Sequence, residues 1–119
     1  MIEGLGYVWL EVADLAQSVA FYRDALRFGL ERTDTGKPPT AHLRAGDLSV
    51  VLAEVPGAAA SRRGRGVLLT VEVSGVDAYH DALVARGLDP SRPVDADHRR
   101  RFTVRDPDGY AWTFVQSLA

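Results

Sequence analysis

Apolar and polar residues alternate at the start of the chain. Val8, Leu10 and Val12 fall on one face and Tyr7, Trp9 and Glu11 on the other, which predicts a strand over 7–12. The period then changes. Leu15, Val19, Tyr22 and Leu26 recur at helical spacing, with Asp14 placed as N-cap, Gln17 able to close a capping box, and Gly29 as the stop. Two short strands follow, near 40–45 and 48–54, joined around Gly46-Asp47. Residues 56–66 are rich in Gly, Ala and Arg without an apolar period, and read as a flexible linker.

The same order then recurs. Residues 67–73 are strongly β-prone. Ser74 and Asp77 open a second helix in which Val76, Tyr79, Leu83 and Val84 share a face, and Arg86-Gly87 ends it. After a loop holding Pro90 and Pro93 come strands near 100–105 and 110–117. Asp106-Pro107-Asp108-Gly109 between them suits a tight reversal.

Each half therefore reads as strand, helix and strand pair, with too few strands to bury both faces of a sheet. Pairing the halves, within one chain or across a dimer, leaves a helix over one face of each sheet and a cavity against the other. Alternation sends Leu43, Val50, Leu52, Leu69, Val71, Phe102, Val104, Trp112 and Phe114 beneath the helices. It sends Tyr7, Trp9, Glu11, His42, Arg44, Ser49 and Val51 of the first half to the cavity. Leu68, Thr70, Glu72, Arg101, Thr103, Ala111 and Thr113 join them from the second. The first set is almost wholly apolar and the second mixed, as a small-molecule pocket requires.

Composition narrows the chemistry. One domain fits 119 residues, and no apolar run or basic leader points to a membrane or to export, so the cytoplasm is the expected compartment. The absence of cysteine removes disulfides, thiolate metal sites and cysteine nucleophiles together. A net charge of −2 gives no reason to seek nucleic acid. The basic runs Arg62-Arg63-Gly64-Arg65 and Arg99-Arg100-Arg101 read as solvated charge. There is no Gly-x-Ser-x-Gly elbow and no Gly-rich phosphate loop.

The string from Tyr7 to Leu15, then Phe21-Tyr22-Arg23-Asp24, Gly46-Asp47-Leu48 and Asp106-Pro107-Asp108-Gly109, resembles the vicinal oxygen chelate superfamily. That superfamily includes glyoxalases, fosfomycin-modifying enzymes, extradiol dioxygenases and bleomycin-resistance proteins. The resemblance implies an α+β fold, with paired βαβββ modules forming a curved mixed sheet around a cavity and helices outside. It implies a single domain over 1–119, with a first module at about 5–55, a linker at 56–66 and a second module at about 67–117. It also implies one divalent metal held by His, Glu or Gln side chains.

Counting from the motifs puts the expected ligand positions on Tyr7, Leu68, Thr113 and Val51, which are poor ligands or none. The neighbours Val8, Leu69, Trp112 and Phe114 do no better. No metal and no cofactor are therefore expected. Glu11, His42 and Glu72 on the cavity face, and Asp95, Asp97 and His98 in a loop, are the other conceivable donors, and the loop trio reads as solvated. His80 reads as exposed, on the helix side away from the apolar face.

The expectation is a metal-independent small-molecule binding protein, its ligand an antibiotic or aromatic metabolite, and its assembly a homodimer. The candidate binding residues are Tyr7, Trp9, Glu11, His42, Arg44, Ser49, Glu72, Arg101, Thr103 and Thr113. Several have bland alternatives. Tyr7 and Trp9 either stack on a ligand or fill a closed interior, and His42 either faces the ligand or is incidental. Arg44 and Arg101 either meet an acidic or carbonyl-bearing ligand or pair with Glu11 and Glu72. The alternative function is a glyoxalase-like lyase, isomerase or dioxygenase with an unconventional or absent metal site. In that case His42 with Glu11 or Glu72 would supply acid–base chemistry. A partner domain without a ligand is the third reading.

Overall fold

The structure, a computed structural model, describes residues 1–55, 57 and 64–118. Most of the expected linker, with Arg62 and Arg63 of the first basic run, lies outside those residues. The chain divides into two compact units, Met1–Arg63 and Gly64–Ala119.

The first unit runs β1 (Val8–Val12), α1 (Leu15–Val19, continued as a π-helix over Ala20–Ala25), β2 (Gly29–Asp34), β3 (Thr40–Ala45) and β4 (Leu48–Glu54). Its sheet order is β1-β4-β3-β2, with β1 parallel to β4 and the other pairs antiparallel. The second unit repeats the plan with β5 (Leu68–Glu72), α2 (Val76–Ala85), β6 (Val94–Ala96), β7 (Arg99–Arg105) and β8 (Ala111–Ser117). Its order is β5-β8-β7-β6, again with one parallel pair, β5 with β8. Each unit is thus a βαβββ module, and the α+β class is as expected.

The strands β2 and β6 are additions to the sequence reading. Both are sheet edges. β2 carries Glu31, Arg32 and Asp34 and is exposed along nearly its whole length, so no apolar alternation betrays it. β6 is three residues long, and the Asp97-His98 turn after it has positive φ at both residues, 53° and 61°. A two-residue link with that geometry matches the twist of the hairpin but normally carries Asn-Gly, which is why the sequence hid it.

α1 begins as expected, with the Asp14 carboxylate accepting from the Gln17 N–H at 3.0 Å. It is also capped from the sheet, because Glu54 at the end of β4 accepts from the Leu15 N–H at 2.8 Å. α2 shows the matching device: Gln116 of β8 accepts from the Val76 N–H at 3.0 Å. Gly75 holds the N-cap position there and Ser74 does not cap. The stop of the first helix is Arg27, at φ 67°, rather than Gly29, which opens β2. α2 ends at Arg86-Gly87 as read, where Gly87 (φ 87°) lets the Leu88 N–H return to the Leu83 carbonyl at 3.0 Å.

The two cores lie between helix and sheet. Leu10, Val12, Tyr22, Leu26, Leu43, Val50 and Leu52 are buried in the first, with the Tyr22 and Phe28 rings 5.6 Å apart. Leu69, Val76, Leu83, Phe102, Val104, Trp112 and Phe114 are buried in the second, where Tyr79 lies 4.8 Å from Phe114. Burying each large apolar side chain contributes about 1.5–3 kcal/mol. Two expectations fail here. Val84 is half exposed, and His80 is not an outward residue but meets the Phe102 ring edge-on at 5.2 Å.

Candidate functional site

Each sheet has one face under the helix of its own unit and a second, uncovered by that helix, and strand alternation sends the candidate residues to this uncovered face. In the first module the pairing is lateral: Trp9 lies opposite Val51, and Val51 opposite His42. Glu11, Ala53 and Thr40 form the next row. Val51 is buried in the middle, whereas the Trp9 side of the row stays open, with Trp9 46% exposed. Tyr7 precedes β1 rather than lying in it and is 57% exposed.

The polar groups of this face are tied to one another through the unforeseen strand β2. Arg44 pairs with Glu31 at 3.3 Å, not with Glu11. His42 lies 3.4 Å from the Asp34 carboxylate, and its Nε2 is 3.5 Å from the Thr40 hydroxyl. Arg32 reaches the same Asp34 oxygen at 3.2 Å. Ser49 sits opposite Arg44.

The second module offers the equivalent rows with different chemistry. Thr70, Thr113 and Thr103 replace Trp9, Val51 and His42 across β5, β8 and β7. The Thr103 and Thr113 hydroxyls are 3.1 Å apart. Leu68 is 66% exposed at the strand start, where the first module has Tyr7. Glu72 is exposed, in a row with Val115 and Arg101. A depression of about 400 Å³ opens on this face, lined by Leu68, Thr70, Arg99, Arg101, Thr103 and Thr113, among others.

The basic run of β7 splits by alternation. Arg100 points to the helix side, donating to Asp77 of α2 at 3.0 Å and to Asp95 of β6 at 2.8 Å. Those two carboxylates, Asp77 first, hold its guanidinium charged well above the usual arginine range. Arg99 and Arg101 lie on the uncovered face. The sequence pattern starts this strand near 100 and so does not mark Arg99 as a binding residue, whereas β7 opens on it. On the helix side, burial pushes the Tyr79 phenol up to about 12.

The expected metal positions group in pairs. Val51 and Thr113 occupy the same place in their sheets, each central between a first-strand residue and a third-strand residue; Tyr7 immediately precedes β1, and Leu68 opens β5. None offers a strong donor for a lone divalent ion. The loop trio is dispersed: Asp95 binds Arg100, while Asp97 and His98 form the turn. Among the described residues no group of three or more His, Asp or Glu side chains converges.

A sequence model of the Glyoxalase/Bleomycin resistance protein/Dioxygenase superfamily matches residues 4–114. Among solved structures, the chain is similar to the antibiotic binding protein TnmS3 of Streptomyces sp. CB03234, at 20% identity and a TM-score of 0.78, over 98% of this chain and 99% of that one. It is similar to a glyoxylase/bleomycin resistance protein/dioxygenase domain of Frankia sp. EAN1pec, at 23% identity and a TM-score of 0.82, over 98% and 99%. The fosfomycin resistance protein FosX of Listeria monocytogenes aligns at 18% identity and a TM-score of 0.81, over 98% and 95%. At such identities the likeness is one of fold. Among curated proteins none matches by sequence.

Proposed function

The chain belongs to the Glyoxalase/Bleomycin resistance protein/Dioxygenase superfamily, and from that premise we propose that it is a small-molecule binding protein that works without a metal ion. The carrying observation is Trp9. An indole left 46% exposed on the uncovered face, with Val51 next to it and His42 one strand further along the same row, offers a flat apolar surface with a polar group within a ligand's reach. The positions where the superfamily would place metal ligands hold Tyr7, Val51, Leu68 and Thr113, which suits binding better than Lewis-acid catalysis. An antibiotic binding protein and a fosfomycin resistance protein among the structural neighbours support a drug or aromatic metabolite as the ligand. A homodimer in the cytoplasm, with no nucleic-acid or membrane partner, completes the reading, and sedimentation tests the assembly.

The experiment combines metal content with fluorescence on protein purified without chelator. Less than about a tenth of an equivalent of metal per chain, with quenching of Trp9 by members of an aromatic antibiotic panel, is the expected result. Trp112 is fully buried, so Trp9→Phe should abolish the response. Near-stoichiometric metal, or no quenching across the panel, overturns the reading.

One observation favours an enzymatic second reading: His42 beside Asp34 on the uncovered face is a histidine–carboxylate pair suited to general-base work. Turnover of any tested superfamily substrate that is lost in His42→Asn would establish it.

A further inference from the structure

The uncovered faces of the two modules treat arginine differently. On the first, Arg44 meets Glu31 and Arg32 meets Asp34. On the second, the side chains of Arg99 and Arg101 form no ion pair or hydrogen bond among the described residues. Their cross-strand neighbours are Ser117 and Ala96 for Arg99, and Val115 and Val94 for Arg101. None is acidic. Alternate residues on one strand stand roughly 7 Å apart on the same face, so the two guanidinium groups repel without a counter-charge opposite either. Glu72, the acid in the row of Arg101, stands on β5 with the width of β8 between them, and no ion pair joins them.

Short supply of acid does not explain this, because Arg100 between them has two carboxylates on the other face. The unpaired charges also line the depression of about 400 Å³, together with the Thr103–Thr113 hydroxyl pair and apolar Leu68. Guanidinium forks beside hydroxyls form a surface that recognises an oxyanion, since charge-assisted hydrogen bonds to Arg are directional and strong.

We infer that the second module selects ligands bearing an oxyanion, a carboxylate, sulfonate or phosphonate on an apolar body, through Arg99 and Arg101. This rests on reading the uncovered faces as the binding surface. It assigns Arg99 a role that the sequence did not suggest and gives Arg101 a ligand rather than Glu72 as partner.

A matched probe pair tests it: 8-anilinonaphthalene-1-sulfonate and its uncharged counterpart N-phenyl-1-naphthylamine, titrated into the full chain. The sulfonate should bind on the order of ten-fold tighter, with a preference that shrinks as salt rises. Arg99→Gln with Arg101→Gln should bring the sulfonate down to the level of the uncharged probe. Arg99→Lys with Arg101→Lys should retain part of the preference, and circular dichroism establishes the fold of each variant. Arg23→Gln with Arg92→Gln, which removes equal charge away from the sheet faces, should keep all of it. Equal binding of the two probes, or a preference that survives the paired glutamines, overturns this inference and leaves the proposed function standing. Binding of neither probe to folded protein overturns both.

Discussion

The two modules are one plan executed with different side chains. Each sheet places its first strand parallel to its last, and each helix takes a cap from the end of that last strand, Glu54 for α1 and Gln116 for α2. Yet where the first module sets Trp9, Val51 and His42 across its uncovered face, the second sets three threonines. The backbone device repeats because it solves a common problem, unsatisfied helix N–H groups beside a sheet. The lining diverges because nothing in the hydrogen-bonded ladder constrains side chains on an uncovered face.

The largest test asks whether the cores are energetically independent. Phe114→Ala removes a ring that packs against Tyr79 and Phe102, and should cost about 3–5 kcal/mol in denaturant unfolding. If the modules are independent, amide exchange in β1 and β4 should be untouched; faster exchange there would show coupled unfolding.

The caps come next. Glu54→Ala should cost about 1.5–3 kcal/mol and Gln116→Ala about 0.5–1.5 kcal/mol, since the first acceptor is charged. Equal losses in thermal melts would show that the charge contributes nothing.

The turns differ as well, for the β6–β7 link strains a histidine where the first module has a longer connection through Pro38 and Pro39. His98→Gly should therefore stabilise the chain by about 1 kcal/mol, read as a raised Tm.

The smallest effect is confined to alkaline pH. Tyr79 holds in α2 the fourth position, which Ser18 holds in α1. Its folded value is raised to about 12 by burial, so the unfolded chain ionises first. The stabilisation is complete below about pH 10 and is lost as pH rises through about 12. Tyr79→Phe should flatten that part of the Tm profile.

The difference between the modules also explains what the sequence disclosed. β1, β3, β5 and β7 bury mainly one face, and the central strands β4 and β8 bury both; alternation or apolar content marks all six and sorts residues such as Leu43 and Phe102 from His42 and Thr103. β2 and β6 bury little, so no period distinguished them from loop. Every error at the site follows from that omission or from a strand end. Without β2, neither Glu31 nor Asp34 was available as partner for Arg44 or His42. The pattern starts β7 one residue late, which leaves Arg99 among solvated charges. Capping by Gln116 was illegible for another reason: it joins residues 40 apart, and only the folded sheet brings them together.

The parallel pairing of first with last strand has a consequence for synthesis. In each module the last strand made lies inside the sheet, between the first strand and the third. A nascent β1 must therefore wait for β4, and β5 for β8, holding an apolar edge without its neighbour for the whole interval. The first module can close while the second is still emerging, but the second gains its central strand only once residues 111–117 have left the ribosome. A stalled chain ending before them would leave β5 alone and the β6–β7 hairpin without its neighbour, two apolar edges open to capture by chaperones.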